Sequence, residues 1–361
     1  MAKYINKMKY LCIGDIHIKP TNTHLVDLLQ NQVINTIQNH SVECVVLLGD
    51  ILDTFERIHT QALNRAYEFI RAIIDLEESD VKVYILVGNH DLINNQQFLS
   101  TQHWMNALKQ WKNVQVVDKV CTSDDSKVCF VPYVPTGRFV EALETCDNDW
   151  KLYDYIFAHQ EFKGCKMGAV VSTEGDDWQH DWPMIISGHI HDRQTPQPNL
   201  YYIGASIQNS FGDQTTPILL LLDTNNESHS EPQFYEIPID LPKKKTIYTK
   251  FEEVLKLTPQ NLVSQNTDMI RVVVKCDYDQ FKVFTQTKEY EDLIKDPKCK
   301  IVHKPLDRVP YEDSVECESI SNTEHDILFE KVLRTRNEYL FSVYMNIIQD
   351  TELVATDILI V

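Results

Sequence analysis

Residues Val45 to Asp53 read Val-Val-Leu-Leu-Gly-Asp-Ile-Leu-Asp, an apolar run that stops at a glycine and at once presents two carboxylates, Asp50 and Asp53. A buried strand that delivers an acid at its C-terminal end is what a metal site needs. The same grammar recurs in Lys9 to Ile18, which holds Gly14-Asp15-Ile16-His17, and in Val83 to Asp91, which ends Gly88-Asn89-His90-Asp91. It returns in Tyr155 to His159 and in Ile185 to His191. Five apolar runs that each lead into Asp, Asn or His predict parallel or mixed sheet strands whose tips converge on one edge, where open α/β sheets bind their ligands. Asp50 is expected to bridge two metal ions.

Between these runs the apolar spacing changes to that of helices. Leu25, Leu28, Leu29, Val33 and Ile37 predict a helix within Thr23 to His40, and Leu63, Ala66, Phe69, Ile70 and Ile73 another within Gln61 to Leu76. A third is expected from Gln97 to Trp111. Strands follow at Val128 to Val134, Tyr155 to Ala158, Met184 to Ile186, Tyr201 to Ile203 and Pro217 to Leu222. Helices early and strands late suggest two sheets face to face with helices outside, in a domain spanning 1–240. The prolines and lysines of Ile237 to Thr246 read as an interdomain connection, and Lys243 to Lys245 as a soluble linker. Beyond it, a strand at Ile270 to Lys275, helix within Phe281 to Ile294 and a strand at Lys300 to His303 predict a small α+β domain over 246–310. Asp307 to Glu324 reads as an acidic linker. A helical C-terminal segment over 324–350 carries an apolar stripe from Leu328 to Ile347 that suits either domain core or a docking surface.

The chain has 361 residues, 43% of them hydrophobic, enough for one large domain and a smaller one. The net charge of -19 excludes a broad basic surface, so any nucleic-acid contact has to be local, metal-assisted or shared with a partner. Nine scattered cysteines without a C-x-x-C pair predict reduced thiols in a cytoplasmic compartment. No signal peptide is expected, and no apolar run approaches the roughly 20 residues that span a bilayer.

Asp15, His17, Asp50, Asn89, His159, His189 and His191 together offer carboxylate, amide oxygen and imidazole with no thiolate, a donor set for Mn²⁺, Fe²⁺ or Zn²⁺. Seven donors are too many for one such ion and suit two, as in two-metal phosphoesterases. In Gly188-His189-Ile190-His191 the alternation lets both imidazoles face one side of an extended segment. His90 is left to stabilise or protonate a leaving oxygen, with Asp53 expected to fix its tautomer. Any single Gly-Asp at a strand end is usually only a turn. Five such signals in one order are another matter.

Gly-Asp-x-His, Gly-Asp-x-x-Asp, Gly-Asn-His-Asp, a lone His after a strand and Gly-His-x-His, spanning Asp15 to His191, follow the order of the calcineurin-like metallophosphoesterases, which the chain resembles. That resemblance implies a two-sheet αββα sandwich flanked by helices. It implies one ion on Asp15, His17, Asp50 and His191, a second on Asp50, Asn89, His159 and His189, His90 as the transition-state histidine, and Asp53 as its partner.

A narrower resemblance comes from Tyr202-Ile203-Gly204-Ala205-Ser206 and Ser210-Phe211-Gly212-Asp213, which look like the tract after the last metal histidine in SbcD-type DNA repair nucleases. Phe55-Glu56-Arg57-Ile58-His59 replaces that family's Pro-Ser segment, and Ala205-Ser206 stands where Gly-Ser is usual. The small domain is similar in position to the family's capping domain. This likeness implies a Mn²⁺-dependent DNA exonuclease or endonuclease of recombination or repair. It also implies a coiled-coil ABC-type ATPase partner of the SbcC type, docked on the C-terminal helices, and a homodimer. The combination also resembles phosphoesterases of large DNA viruses and phages, for which the host cytoplasm or nucleus is the expected compartment. The competing readings are a stand-alone phosphatase or cyclic phosphodiesterase and a non-catalytic scaffold, the latter disfavoured by the complete donor set.

Overall fold

Strand-length apolar runs joined by amphipathic helices give parallel pairing, because a parallel neighbour can be reached only through a crossover. The computed structural model describes residues 8–76, 80–123, 128–213, 216–224, 233–262 and 267–306. The elements in chain order begin with β1 (Lys9–Ile13), α1 (Thr23–His40), β2 (Cys44–Leu47), α2 (Thr60–Ile74), β3 (Lys82–Leu86) and β4 (Val114–Val117). Next come β5 (Cys121–Thr122), β6 (Val128–Val131), α3 (Phe139–Glu144), β7 (Tyr155–His159), β8 (Lys166–Met167), β9 (Val170–Val171), β10 (Met184–Gly188), β11 (Gln194–Gln197) and β12 (Leu200–Tyr202). The series closes with β13 (Ile218–Asp223), β14 (Gln233–Pro238), β15 (Lys243–Lys250), α4 (Phe251–Val254), α5 (Pro259–Leu262), β16 (Thr267–Lys275), α6 (Tyr278–Phe284), α7 (Lys288–Lys295) and β17 (Cys299–Lys304).

Two six-stranded sheets form the sandwich, ordered β14-β13-β1-β2-β3-β4 and β11-β12-β10-β7-β6-β5. The strands β1 to β4 run parallel, as do β6, β7, β10 and β12; antiparallel pairing adds β13 and β14 at one edge of the first sheet and β11 and β5 at the two edges of the second. Alternation sorts each strand between two cores. Tyr10, Cys12, Val46 and Tyr84 meet Phe130, Phe157 and Ile186 between the sheets. Leu11, Ile13, Val45 and Val83 turn outward under α1 and α2, while Cys129, Ile156 and Ile185 pack outward with α3 and Trp150. This is the αββα order expected.

Several local expectations are revised. Gln97 to Trp111 holds only a short 3₁₀ helix, Trp104–Gln110, followed by β4. The supposed connection at Ile237 to Thr246 is mostly strand: β14 ends at Pro238 and β15 opens at Lys243, so Lys243 to Lys245 is an edge strand rather than a linker. Lysine is common on edge strands because one backbone edge stays open to water. The small region takes the form of a parallel sheet, β15-β16-β17, with α4 and α5 in one crossover and α6 and α7 in the next. Its core is Val254, Ile270, Val272, Val274, Phe284 and Leu293.

Trp178, within the polar stretch Glu174 to Trp182, is a buried part of the α3-side core. The eight described cysteines are unpaired. Among the described residues no helix is long and apolar enough to cross a membrane. The expected linker after Asp307 and the helical segment 324–350 lie outside the described residues.

Candidate metal centre

Each predicted site residue sits one to four residues past a strand end or on its last residue. Asp15 and His17 follow β1, Asp50 follows β2, Asn89 and His90 follow β3, His159 ends β7, and His189 and His191 follow β10. The parallel strands of both sheets therefore deliver their donors to one place. The turn backbone there is unusual: His17, Asp50 and His189 have φ of 48°, 49° and 78°. Left-handed backbone costs an ordinary side chain about 1–2 kcal/mol each, so the surrounding packing holds these turns against their preference. The neighbouring glycines allow it. A Cβ on Gly88 would lie 2.3 Å from the Asp50 amide nitrogen and Oδ1, and one on Gly49, at φ +100°, would lie 2.5 Å from His159 Nδ1.

Asp50 lies at the middle of two donor groups. On one side its Oδ2 is 3.6 Å from His17 Nε2, which lies 3.0 Å from His191 Nε2. On the other, Oδ2 is 3.4 Å from His159 Nε2. Asn89 Oδ1 is 3.0 Å from His159 Nε2 and 2.8 Å from His189 Nδ1, and the two ring nitrogens are 3.3 Å apart. His159 Nδ1 donates to the Leu48 carbonyl at 2.6 Å, which fixes its tautomer and turns the Nε2 lone pair toward Asp50 and Asn89. His17, Asp50 and His90 offer atoms all within 4.8 Å of one another, as do Asp50, His159 and His189. Asp15 Oδ1 accepts the His189 amide at 3.1 Å and lies 3.4 Å from His159 Nδ1, but its buried Oδ2 has no partner. Lone pairs that converge on one another, with an orphaned carboxylate oxygen beside them, form a donor set that cations satisfy. The residues present fit two divalent ions.

Electrostatics agree. Burial alone would raise the Asp50 carboxyl, yet His159 and His17 outweigh it and hold the group well below the usual carboxylate range. Burial raises Asp15, and it pushes His17 and His189 down to about 3, so both imidazoles stay neutral. For His159 burial works downward, but Asp50 reverses it and lifts the imidazole to about 9, so Nε2 carries a proton beside Asp50 that a bound cation would displace to use the lone pair.

The structure corrects the expected role of Asp53. His90 Nδ1 donates to the Asp53 backbone carbonyl at 2.7 Å, while the Asp53 carboxylate meets Lys19 Nζ at 3.0 Å and lies 3.6 Å from His17 Nδ1. A carbonyl fixes a histidine tautomer as well as a carboxylate does, and here it comes from the turn itself. Asp53→Asn is therefore expected to change kcat by less than about 5-fold, the scale of ~1 kcal/mol for a partly exposed ion pair, when hydrolysis is measured beside the unaltered protein. A loss of several hundredfold would restore a catalytic role to the carboxylate.

Three further side chains were not read as part of this site. Asp91 is buried and takes the Gly88, Ile51 and Leu52 amides at 3.1, 3.4 and 3.3 Å and Trp104 Nε1 at 2.9 Å, tying the Asp50 turn to the Asn89 turn. Burial and the nearby Asp50 charge push its carboxyl up to about 7. Asp91→Ala would orphan three buried amides and the half-buried Trp104 indole N–H and is expected to destabilise the fold by about 3 kcal/mol, at ~1–3 kcal/mol per unsatisfied group without full additivity. An unchanged urea midpoint would contradict this. Phe55 stacks on His90 with ring centroids 4.4 Å apart at 22°, holding the ring plane. Tyr133 lies 5.7 Å from His189 across the other donor group. Phe55 belongs to the segment already marked as unusual; no pattern announced Tyr133.

Comparison with known proteins gives the family. The calcineurin-like phosphoesterase family model matches residues 8–193. The chain is 44% identical to "Putative phosphoesterase 244L" of Invertebrate iridescent virus 6, over 79% of this chain and 99% of that protein. It is 39% identical to "Putative phosphoesterase 078R" of Invertebrate iridescent virus 3, over 91% of this chain and 93% of that one. Among solved structures, a dimetal phosphatase from Danio rerio aligns with 14% identity and a TM-score of 0.36, covering 64% of this chain and 99% of that one.

Proposed function

Because the chain belongs to the calcineurin-like phosphoesterase family, we propose that it is a di-metal phosphodiester hydrolase whose substrate is DNA, a nuclease of the SbcD type. The observation that carries the chemistry is Asp50, one carboxylate oxygen within 3.6 Å of donors on both sides. One ion would be held by Asp15, His17, Asp50 and His191, the other by Asp50, Asn89, His159 and His189, with Mn²⁺ the proposed metal. Bound there, such ions neutralise charge on phosphate oxygens and lower the pKa of water.

The chain's own groups do the rest. Asp50 Oδ1 accepts the His90 amide at 2.8 Å, which sets the turn carrying the imidazole. With Nδ1 committed to the Asp53 carbonyl and one face covered by Phe55, His90 has Nε2 to hand a proton to the departing sugar oxygen as the P–O bond breaks.

For DNA over a smaller ester, the support is the tract after the last metal histidine. Ser206 Oγ donates to the Gly14 carbonyl at 3.0 Å and the Ala205 amide to the His191 carbonyl at 3.0 Å, so this tract backs the donor turns. Further along, Phe211 lies under Arg271 of β16, 4.8 Å from ring centroid to guanidinium, tying the same tract to the three-stranded sheet. The likeness also proposes an SbcC-type coiled-coil ATPase partner and a homodimer.

The test is turnover by the metal-stripped, Mn²⁺-reconstituted chain on 5′-labelled single- and double-stranded DNA, with nucleotide mono- and diesters in parallel. DNA cleavage is expected. Rapid small-ester hydrolysis with DNA untouched would replace this reading by the phosphatase one.

A further inference from the structure

Among the described residues, the helices packed on the parallel sheet β15-β16-β17 lie on one face. Its core takes Ile247, Ile270, Val272, Val274 and Ile301, so the alternate residues project from the other face. Register places these in three rows across the strands: Thr246, Arg271 and Lys300; then Tyr248, Val273 and Val302; then Lys250, Lys275 and Lys304. Five of these nine positions are cationic and none is acidic, in a chain with 34 basic and 53 acidic residues. Among the described residues no carboxylate lies in ion-pair reach of Lys250, Lys275, Lys300 or Lys304. Tyr248, in the apolar middle row, is 62% exposed, and Lys275 Nζ lies 5.7 Å from its ring.

Edge protection accounts for lysines on β15 and β17, since charged edges discourage strand addition. It does not account for Lys275, which stands on the central strand; Arg271 beside it is already engaged by Phe211 and by Thr246 Oγ1 at 3.1 Å. From the geometry we infer that this face docks a single-stranded segment of nucleic acid, its phosphates on Lys300 and on the row Lys250, Lys275 and Lys304, and one base on Tyr248. Four residues along a strand span about 13 Å and three strands about 10 Å across, room for a short run of backbone. An exposed aromatic side chain set between cations, as Tyr248 is, suits an unpaired base, which stacks without regard to sequence. The Phe211 contact with Arg271 joins this face to the tract that backs the metal centre. The inference rests on the nucleic-acid reading above but concerns binding rather than cleavage.

The test uses the full chain carrying His90→Ala, so that DNA stays intact, and fluorescence anisotropy with a 5′-fluorescein 12-mer of thymidylate across a KCl series. The triple variant Lys275→Gln, Lys300→Gln, Lys304→Gln is expected to bind at least 10-fold more weakly. Its slope of log affinity against log salt should fall by about 2, at ~0.7 per single-strand phosphate contact. The corresponding Lys→Arg variant should retain both affinity and slope. Tyr248→Ala should weaken binding about 5-fold or more with the slope unchanged, the scale of one stacked base.

A triple Gln variant, folded by circular dichroism, that keeps wild-type affinity and slope would overturn the docking face. So would an acidic peptide or anionic vesicle outcompeting the 12-mer at the same lysines. Cleavage by the chain with native His90 separates the two readings. DNA cut but not held by these lysines removes only the face; DNA held by them but never cut removes only the nuclease.

Discussion

Asp50→Asn is expected to cut phosphodiester hydrolysis by roughly 10³-fold or more and to lower the divalent ions retained after dialysis from two per chain to fewer than one. Asp50 Oδ2 is the oxygen that approaches imidazole nitrogens of both donor groups, so neutralising it weakens both at once. Asparagine is the informative replacement. It has the same size, it tolerates the left-handed backbone at φ 49°, and it can keep the Oδ1 bond to the His90 amide. Loss of function in this variant therefore reports charge rather than a collapsed turn. Elemental analysis of the dialysed protein beside steady-state rates checks both parts, and two retained ions with a normal rate would remove the bridging role.

For His90→Ala the expected loss is about 10²- to 10⁴-fold, the usual reach of a positioned proton donor, with the metal content unchanged. The size of the loss should depend on the leaving group. A sugar alkoxide leaves poorly without a proton, whereas p-nitrophenolate needs none. A variant that fails on DNA yet retains most activity on bis-p-nitrophenyl phosphate would identify proton donation as the role of the imidazole. Equal losses on both substrates would assign His90 to charge stabilisation instead.

The donor set was legible because its members, His159 apart, sit in the same local sentence, an apolar strand, a glycine and then a polar residue; His159 ends its strand without the glycine. Strand polarity alone then sends all of them to one edge, and the order of the two sheets follows from parallel crossovers. What escaped the sequence was contact made by the backbone. Asp53 was read through its carboxylate, and the bond to His90 comes from its carbonyl. Asp91 stood in plain view within Gly-Asn-His-Asp, but its four donors come from three separate segments that no linear pattern joins. The lysines of β15 resembled a linker because an edge strand with one wet face has a linker's composition. Their partners on β16 and β17 became visible only with the register.

The left-handed turns at His17, Asp50 and His189 bear on any attempt to transplant this centre. A designer who copies the donors onto another parallel sheet, at matching positions but with ordinary right-handed turns, would aim these three side chains in wrong directions. The portable unit is the turn, with Gly49 and Gly88 retained as spacers, and not the histidine or the aspartate alone. Randomised libraries at 17, 50 and 189 should return Asn and Gly among folded clones far more often than Val or Ile, whichever activity is selected. Part of the restriction at those three positions is thus conformational, and it would persist in a descendant that had abandoned metals altogether.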